Sequence, residues 1–187
     1  MNQPLPVLLR PAGPNWRLLA PNLVLFQAGW FAAVLGAANG MPWLGILVIA
    51  GSLALHLNRA AEPGREGRLI VGVLGVSCIF ESLLAASGWA AYAYHTASTP
   101  PVWMIALWAN FAATLNVALR SLRARAGLLA AFGLVGGPLA YWGGASLGAL
   151  AWLETGPALI YIALGWAILM PLLGRLALRL DGYRHGV

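Results

Sequence analysis

Charge placement restricts this chain more than any other feature. All eleven basic residues are arginines, and they occupy alternate gaps between apolar stretches. Arg10 and Arg17 precede the first stretch, and Arg59, Arg65 and Arg68 follow the second. Arg120, Arg123 and Arg125 follow the fourth, and Arg175, Arg179 and Arg184 close the chain. The gaps around 39–41, 95–100 and 153–155 hold no arginine or lysine. Short loops rich in arginine stay on the cytoplasmic side of a membrane, so the alternation predicts an even number of spans with N and C termini both cytoplasmic.

Composition supports this. With 60% hydrophobic and 9% charged residues, a soluble domain would expose more apolar surface than it could hide. The formal charge of +6 is dispersed over several loops, so nucleic acid is excluded as a partner and anionic headgroups are the natural one. The single cysteine, Cys78, permits no intrachain disulfide and no cysteine metal cluster.

A hydrocarbon core of about 30 Å asks for around 20 apolar residues per helix, and six segments meet or approach this: 22–38, 42–57, 69–92, 101–119, 126–142 and 157–178. The expected fold is all-α: a polytopic transmembrane bundle of about six spans. Residues 1–20 read as an irregular cytoplasmic lead-in, 21–180 as one transmembrane domain and 181–187 as a cytoplasmic tail. Asn39-Gly40-Met41-Pro42 predicts a tight turn joining the first two spans. The stretch from Asn58 to Arg68 reads as a polar loop, and Ser98-Thr99-Pro100-Pro101 as the capped start of the fourth span. Residues 143–156 stay open: a continued helix, a re-entrant piece or an interfacial loop. Tryptophans near the span ends, Trp16, Trp30, Trp43, Trp89, Trp103, Trp142 and Trp152, read as an aromatic belt rather than a ligand cage. Gly133-x-x-x-Gly137 and Gly144-x-x-x-Gly148 read as close helix contacts within the chain.

An ionisable residue inside a span is expensive and marks a functional site by default. Glu81 is the one clear case, about 18 Å beyond Leu69 at helical rise, with Ser77 one turn earlier on the same face. Gln27 and Asn110 stand at depths from which they could meet Glu81 at mid-bundle. His56, Asn116 and Tyr141 complete the candidate set for a ligand or proton site. The competing reading is that these polar groups only glue helices together. No catalytic motif and no multi-histidine centre is present, so neither metal nor cofactor is expected.

Four runs carry a resemblance. They are Leu25-Phe26-Gln27-Ala28-Gly29-Trp30-Phe31, then Leu107-Trp108 with Phe111-Ala112-Ala113-Thr114-Leu115-Asn116, then Gly136-Gly137-Pro138-Leu139-Ala140-Tyr141, and Trp166 with Pro171-Leu172-Leu173. Over residues 22–178 the chain resembles an uncharacterised family of small bacterial inner-membrane proteins, DUF2878. The resemblance implies a multi-pass inner-membrane location, and gene neighbourhoods shared with cyclopropane-synthase-like methyltransferases and other lipid-modifying proteins. It also implies an acidic residue followed by serine in the third span. Glu81-Ser82 matches this, with glutamate in place of the expected aspartate. It supplies no catalytic residues.

The leading expectation is therefore a membrane protein that binds a lipid-like or apolar small molecule and assists fatty-acyl or phospholipid modification. Membrane lipids, a lipid-modifying enzyme and further copies of the chain are its candidate partners. The rival readings are a small proton-coupled transporter working through Glu81, an enzyme using Glu81 or His56 as general base, and a structural partner of another membrane protein.

Overall fold

A computed structural model describes residues 15–96 and 99–183. The expectations resting on Arg10, Arg184, Ser98 and the lead-in up to residue 14 fall outside these. Six helices and two short strands follow in order: α1 Trp16–Ala38, α2 Pro42–Arg59, α3 Pro63–Ser87, β1 Ala90–Tyr92, α4 Val102–Leu115, α5 Ala126–Ser146, β2 Leu150–Trp152 and α6 Thr155–Arg179.

Four of these helices, α1, α3, α5 and α6, are long and apolar enough to cross a membrane, and the chain is a membrane protein on that ground. Helix α4 has 14 residues, only about 21 Å. Apart from Asn110 and Thr114 it is apolar, the pattern of a largely enclosed helix. Trp103, Met104, Trp108, Ala109, Ala112, Ala113 and Leu115 are all buried against α1, α2, α3 and α6.

Boundaries depart from expectation where local chemistry overrides apolar length. Helix α1 reaches back to Trp16 because the Asn15 side chain accepts from the Arg17 amide, so residues 16–20 are helical and Pro21 lies inside the helix. The expected polar loop 58–68 shrinks to 60–62, since α2 runs to Arg59 and Pro63 opens α3 in its first turn. The third span stops at Ser87 because Gly88 takes a left-handed conformation, φ 71°, which favours glycine. The chain then reverses into β1 instead of continuing as helix to Tyr92. Helix α4 ends at Leu115, not Leu119, and its N-cap, Pro101, makes no side-chain capping bond. The open segment 143–156 proves to be three things: α5 continues to Ser146, Gly148 turns at φ 86°, and β2 pairs antiparallel with β1, Ala91 opposite Ala151.

The Asn39–Met41 turn is as expected, with Gly40 at φ 72° and the Met41 amide on the Gly36 carbonyl at 2.7 Å. Of the two glycine pairs, Gly133 and Gly137 lie against Trp166 of α6, where a Cβ on Gly137 would stand 2.6 Å from Trp166 Cγ. Gly148, by contrast, is a turn residue and not half of a helix contact. The described arginines flank the starts of α1, α3 and α5 and the ends of α2, α4 and α6, which form one end of the bundle. The α1–α2 turn and the β1–β2 pair form the other, with Tyr94 packed 3.7 Å from where a Gly40 Cβ would be.

Candidate functional site

The buried face of α3 can be read at helical spacing as Glu66, Ile70, Val73, Ser77, Glu81 and Leu84. It carries two carboxylates about 22 Å apart, each completely buried, and each gathers its own set of partners.

Glu81 stands near the arginine-free end. The Trp108 indole of α4 donates to its Oε1 at 2.7 Å, and the Tyr92 hydroxyl of β1 donates to its Oε2 at 2.7 Å. The Tyr141 hydroxyl of α5 donates to Oε1 as well. The reversal at Gly88 is what brings Tyr92 back over α3, eleven residues after Glu81. Ser77 shares the face but donates to the Leu74 carbonyl of its own helix at 2.8 Å. Around the carboxylate lies an aromatic cluster: Trp108 stacks on Trp166 at 4.5 Å between centroids, Phe80 stacks on Tyr161 at 4.7 Å, and the Tyr161 hydroxyl donates to the Phe80 carbonyl at 2.8 Å.

Trp108 and Tyr141 give their polar atoms to Glu81 and also line an apolar cavity of about 280 Å³ between α1, α4, α5 and α6. Its walls include Phe26 and Trp30 from α1, Trp103 and Phe111 from α4, Gly136 and Ala140 from α5, and Trp166 from α6. It runs from Leu119, next to the arginine-bearing end, to Leu150 of β2 at the other. Along α5 it extends from Phe132 to Gly144, about 18 Å. Helices α1 and α5 form its two sides and α4 its floor, while Trp30 reaches across to Gly143. Two residues expected in the aromatic belt, Trp30 and Trp103, therefore line this cavity. Trp16, Trp43 and Trp142 are exposed, at 66%, 55% and 50%, and fit the belt reading.

Glu66 stands near the arginine-bearing end. It accepts from Asn116 and from the Gly182 amide at 2.7 Å each, and it faces His56 Nε2 at 2.9 Å. Asn116 in turn accepts from Arg123, and Arg123 pairs with Asp181 at 2.5 Å. Arg120 also pairs with Asp181, at 3.2 Å. The Tyr183 hydroxyl donates to the His56 carbonyl at 2.6 Å. The network ties the ends of α2 and α4 and the start of α3 to residues 181–183, which are buried and packed rather than a trailing tail. Burial raises the Asp181 carboxyl. Hydrogen bonds from Arg123 and the Tyr183 amide, with the charges of Arg123 and Arg120, outweigh this and hold it below the usual carboxylate range. Burial, assisted by Glu66, pushes the Tyr183 phenol up.

The expected site residues thus divide. Glu81 and Tyr141 meet, and His56 and Asn116 meet at the other end. Asn110 meets neither group: its amide donates to the Phe26 carbonyl at 2.9 Å, and Asn22 donates back from α1 to the Ala113 carbonyl of α4 at 2.9 Å. This reciprocal pair glues α1 to α4, as the competing reading of buried polar groups holds. Gln27 is exposed and does not converge with Glu81. The buried face of α1 is its small-residue stripe, Gly29, Ala33, Gly36 and Ala37, and Gln27 stands about 200° around the helix from Gly29. That stripe was a legible signal. So was the spacing that places Glu66 on the Ser77–Glu81 face, although the sequence reading did not select Glu66. Tyr92, Trp108, Arg123, Asp181 and Tyr183 were also missed, and only their packing reveals them. Among the described residues no group of three histidine, cysteine, aspartate or glutamate side chains is placed to hold a metal.

A family model described as a protein of unknown function (DUF2878) matches residues 19–172. No curated protein and no solved structure matches the chain.

Proposed function

This chain belongs to the DUF2878 family, and we propose that it is a bacterial inner-membrane protein that holds one apolar chain in the groove between α1 and α5. In this reading all six helices lie within the bilayer with both termini cytoplasmic, an arrangement that the arginine distribution supports. The observation that carries the proposal is the cavity. Its lining is hydrocarbon and aromatic, and the polar atoms of Trp108 and Tyr141 are committed to Glu81 instead of to an occupant. Sites for small molecules are concave and mostly apolar, with few polar groups, and a cavity of roughly 150 Å³ already accepts benzene. A groove of this length flanked by two long apolar helices suits an acyl or isoprenoid chain drawn from the surrounding lipid. Such a groove serves what a protein assisting fatty-acyl or phospholipid modification needs, a chain held out of the bulk bilayer. The proton-coupled alternative needs a polar route to Glu81, and the apolar groove beside it offers none.

Ala140 lines the groove and is exposed, so Ala140→Trp fills it without entering the core. Native mass spectra of the purified protein in mild detergent are expected to show a bound lipid in the wild type, lost in Ala140→Trp. Equal lipid occupancy in both proteins, or none in either, overturns the reading.

A further inference from the structure

We propose that the groove selects a lipophilic cation: an apolar chain that carries an amine or quaternary ammonium group. The inference rests on the groove reading above and adds the charge of the occupant. It begins with an imbalance between the two buried carboxylates of α3. Glu66 has His56 against it, and Asp181 in the same network has Arg123 and Arg120. Glu81 has only neutral partners, Tyr92, Trp108 and Tyr141. Indole can only donate, so Oε1 accepts from Trp108, and three donor groups converging on one carboxyl favour its ionised form once a cation stands nearby. On α3 the preceding arginine, Arg68, is thirteen residues away, about 20 Å. His95, at the same end as Glu81, is bonded to the Thr99 carbonyl at 2.6 Å. An ionised carboxylate buried without a counter-ion is costly, so a cation in the groove is what would stabilise that form of Glu81, and in a medium of low dielectric it need not be in contact to do so.

The groove is built to place a cation within that range. Trp108 and Tyr141 line the cavity, Trp108 with Trp166 stacked on it, and aromatic rings attract ammonium groups, most of all when water is excluded. Donating N–H and O–H to a carboxylate leaves both rings richer in electrons, which strengthens that attraction. Trp30, Trp103, Phe111 and Trp166 continue the aromatic lining. Against an anionic head the lining sets no cationic side chain: Thr114 donates its hydroxyl to the Phe111 carbonyl at 2.7 Å, the unpartnered Trp166 indole N–H is a neutral donor, and the arginines lie beyond the Leu119 end of the groove, away from Glu81.

The test is a tryptophan-fluorescence titration of the full chain in mild detergent, with octyltrimethylammonium and octanol as probes. The wild type is expected to bind the cation at least about tenfold more tightly than the alcohol. Glu81→Gln should bring that ratio close to one while leaving octanol binding unchanged. Equal affinity of the wild type for both probes overturns the proposal, as does a Glu81→Gln variant that loses both probes alike. If neither probe binds the wild type, the groove reading fails as well, so the two failures are distinguishable. Should Glu81→Gln not fold, Trp166→Leu keeps all three bonds to Glu81 while thinning the aromatic wall. It should lower the ratio, and an unchanged ratio counts against the proposal. Repeating the titration in phosphatidylglycerol nanodiscs with and without phosphatidylethanolamine separates the sources. Competition by the amine lipid identifies a headgroup, and its absence identifies a free lipophilic cation.

Discussion

Burial without compensation is what separates the two carboxylates of α3. Glu66 is embedded in a network in which donors and charges balance, and removing one member of such a network typically costs about 3–5 kcal/mol because it strands the others. Asp181 makes that network sensitive to acid. Its carboxyl is held low on folding, and a group depressed in this way contributes stability that is complete above its unfolded value and lost as pH falls through the folded one. The anchor formed by residues 181–183 is therefore expected to be intact at neutral pH and to loosen below about pH 4. Hydrogen exchange at the Gly182 and Tyr183 amides, corrected for intrinsic rates, should show protection at pH 7 that disappears in strong acid. In Asp181→Asn, Tyr183 protection should already be reduced at pH 7. Persistent protection at low pH would sink the idea. The sequence exposed Glu81 as costly because no charge surrounds it within its span. It gave no comparable sign of Asp181, which sits among ordinary terminal residues and is significant only through what it touches.

At the scale of elements, glycine is informative only by position. Gly137 allows α5 to lie directly on Trp166, and a larger side chain there overpacks the contact. Gly75 of α3 has nothing within 4 Å of where its Cβ would be, so alanine there gains helix stability at no steric cost. Gly137→Val is expected to destabilise by about 1–3 kcal/mol and Gly75→Ala to stabilise by roughly 0.5–1 kcal/mol. Thermal unfolding in one detergent should thus move in opposite directions for the two variants, and movement in the same direction would refute the assignment of the α5–α6 contact. The helices and the Asn39–Met41 turn were legible because apolar length and Asn-Gly-x-Pro chemistry are local. The β1–β2 pair was not. Two three-residue strands drawn from segments sixty residues apart carry no alternation to read, and they form only because Gly88 and Gly148 reverse the chain at the same end of the bundle.

For the whole molecule, the expected arrangement places all the arginine-bearing gaps on one side of the membrane. It can be checked on a Cys78→Ser background with single cysteines at exposed positions. Ala61→Cys should react with an impermeant maleimide only after cells are permeabilised, and Glu154→Cys should react on intact cells. Labelling of both from one side would overturn the six-span arrangement. The sequence by itself determined the number of helices, their approximate limits and the segregation of arginines to one end, because hydrophobic length and charge act on each segment separately. It also determined that a carboxylate at position 81 must be accommodated inside a span. Only the tertiary structure decided how it is accommodated. Depth along a helix is additive and can be counted from the sequence. The direction in which a side chain points depends on how every neighbouring helix is rotated and packed. Gln27 and Asn110 were therefore placed at a workable depth but on the wrong faces. Tyr92, Trp108 and Tyr141 meet Glu81 from three other elements, and the groove exists because α1 and α5 pack on either side of α4.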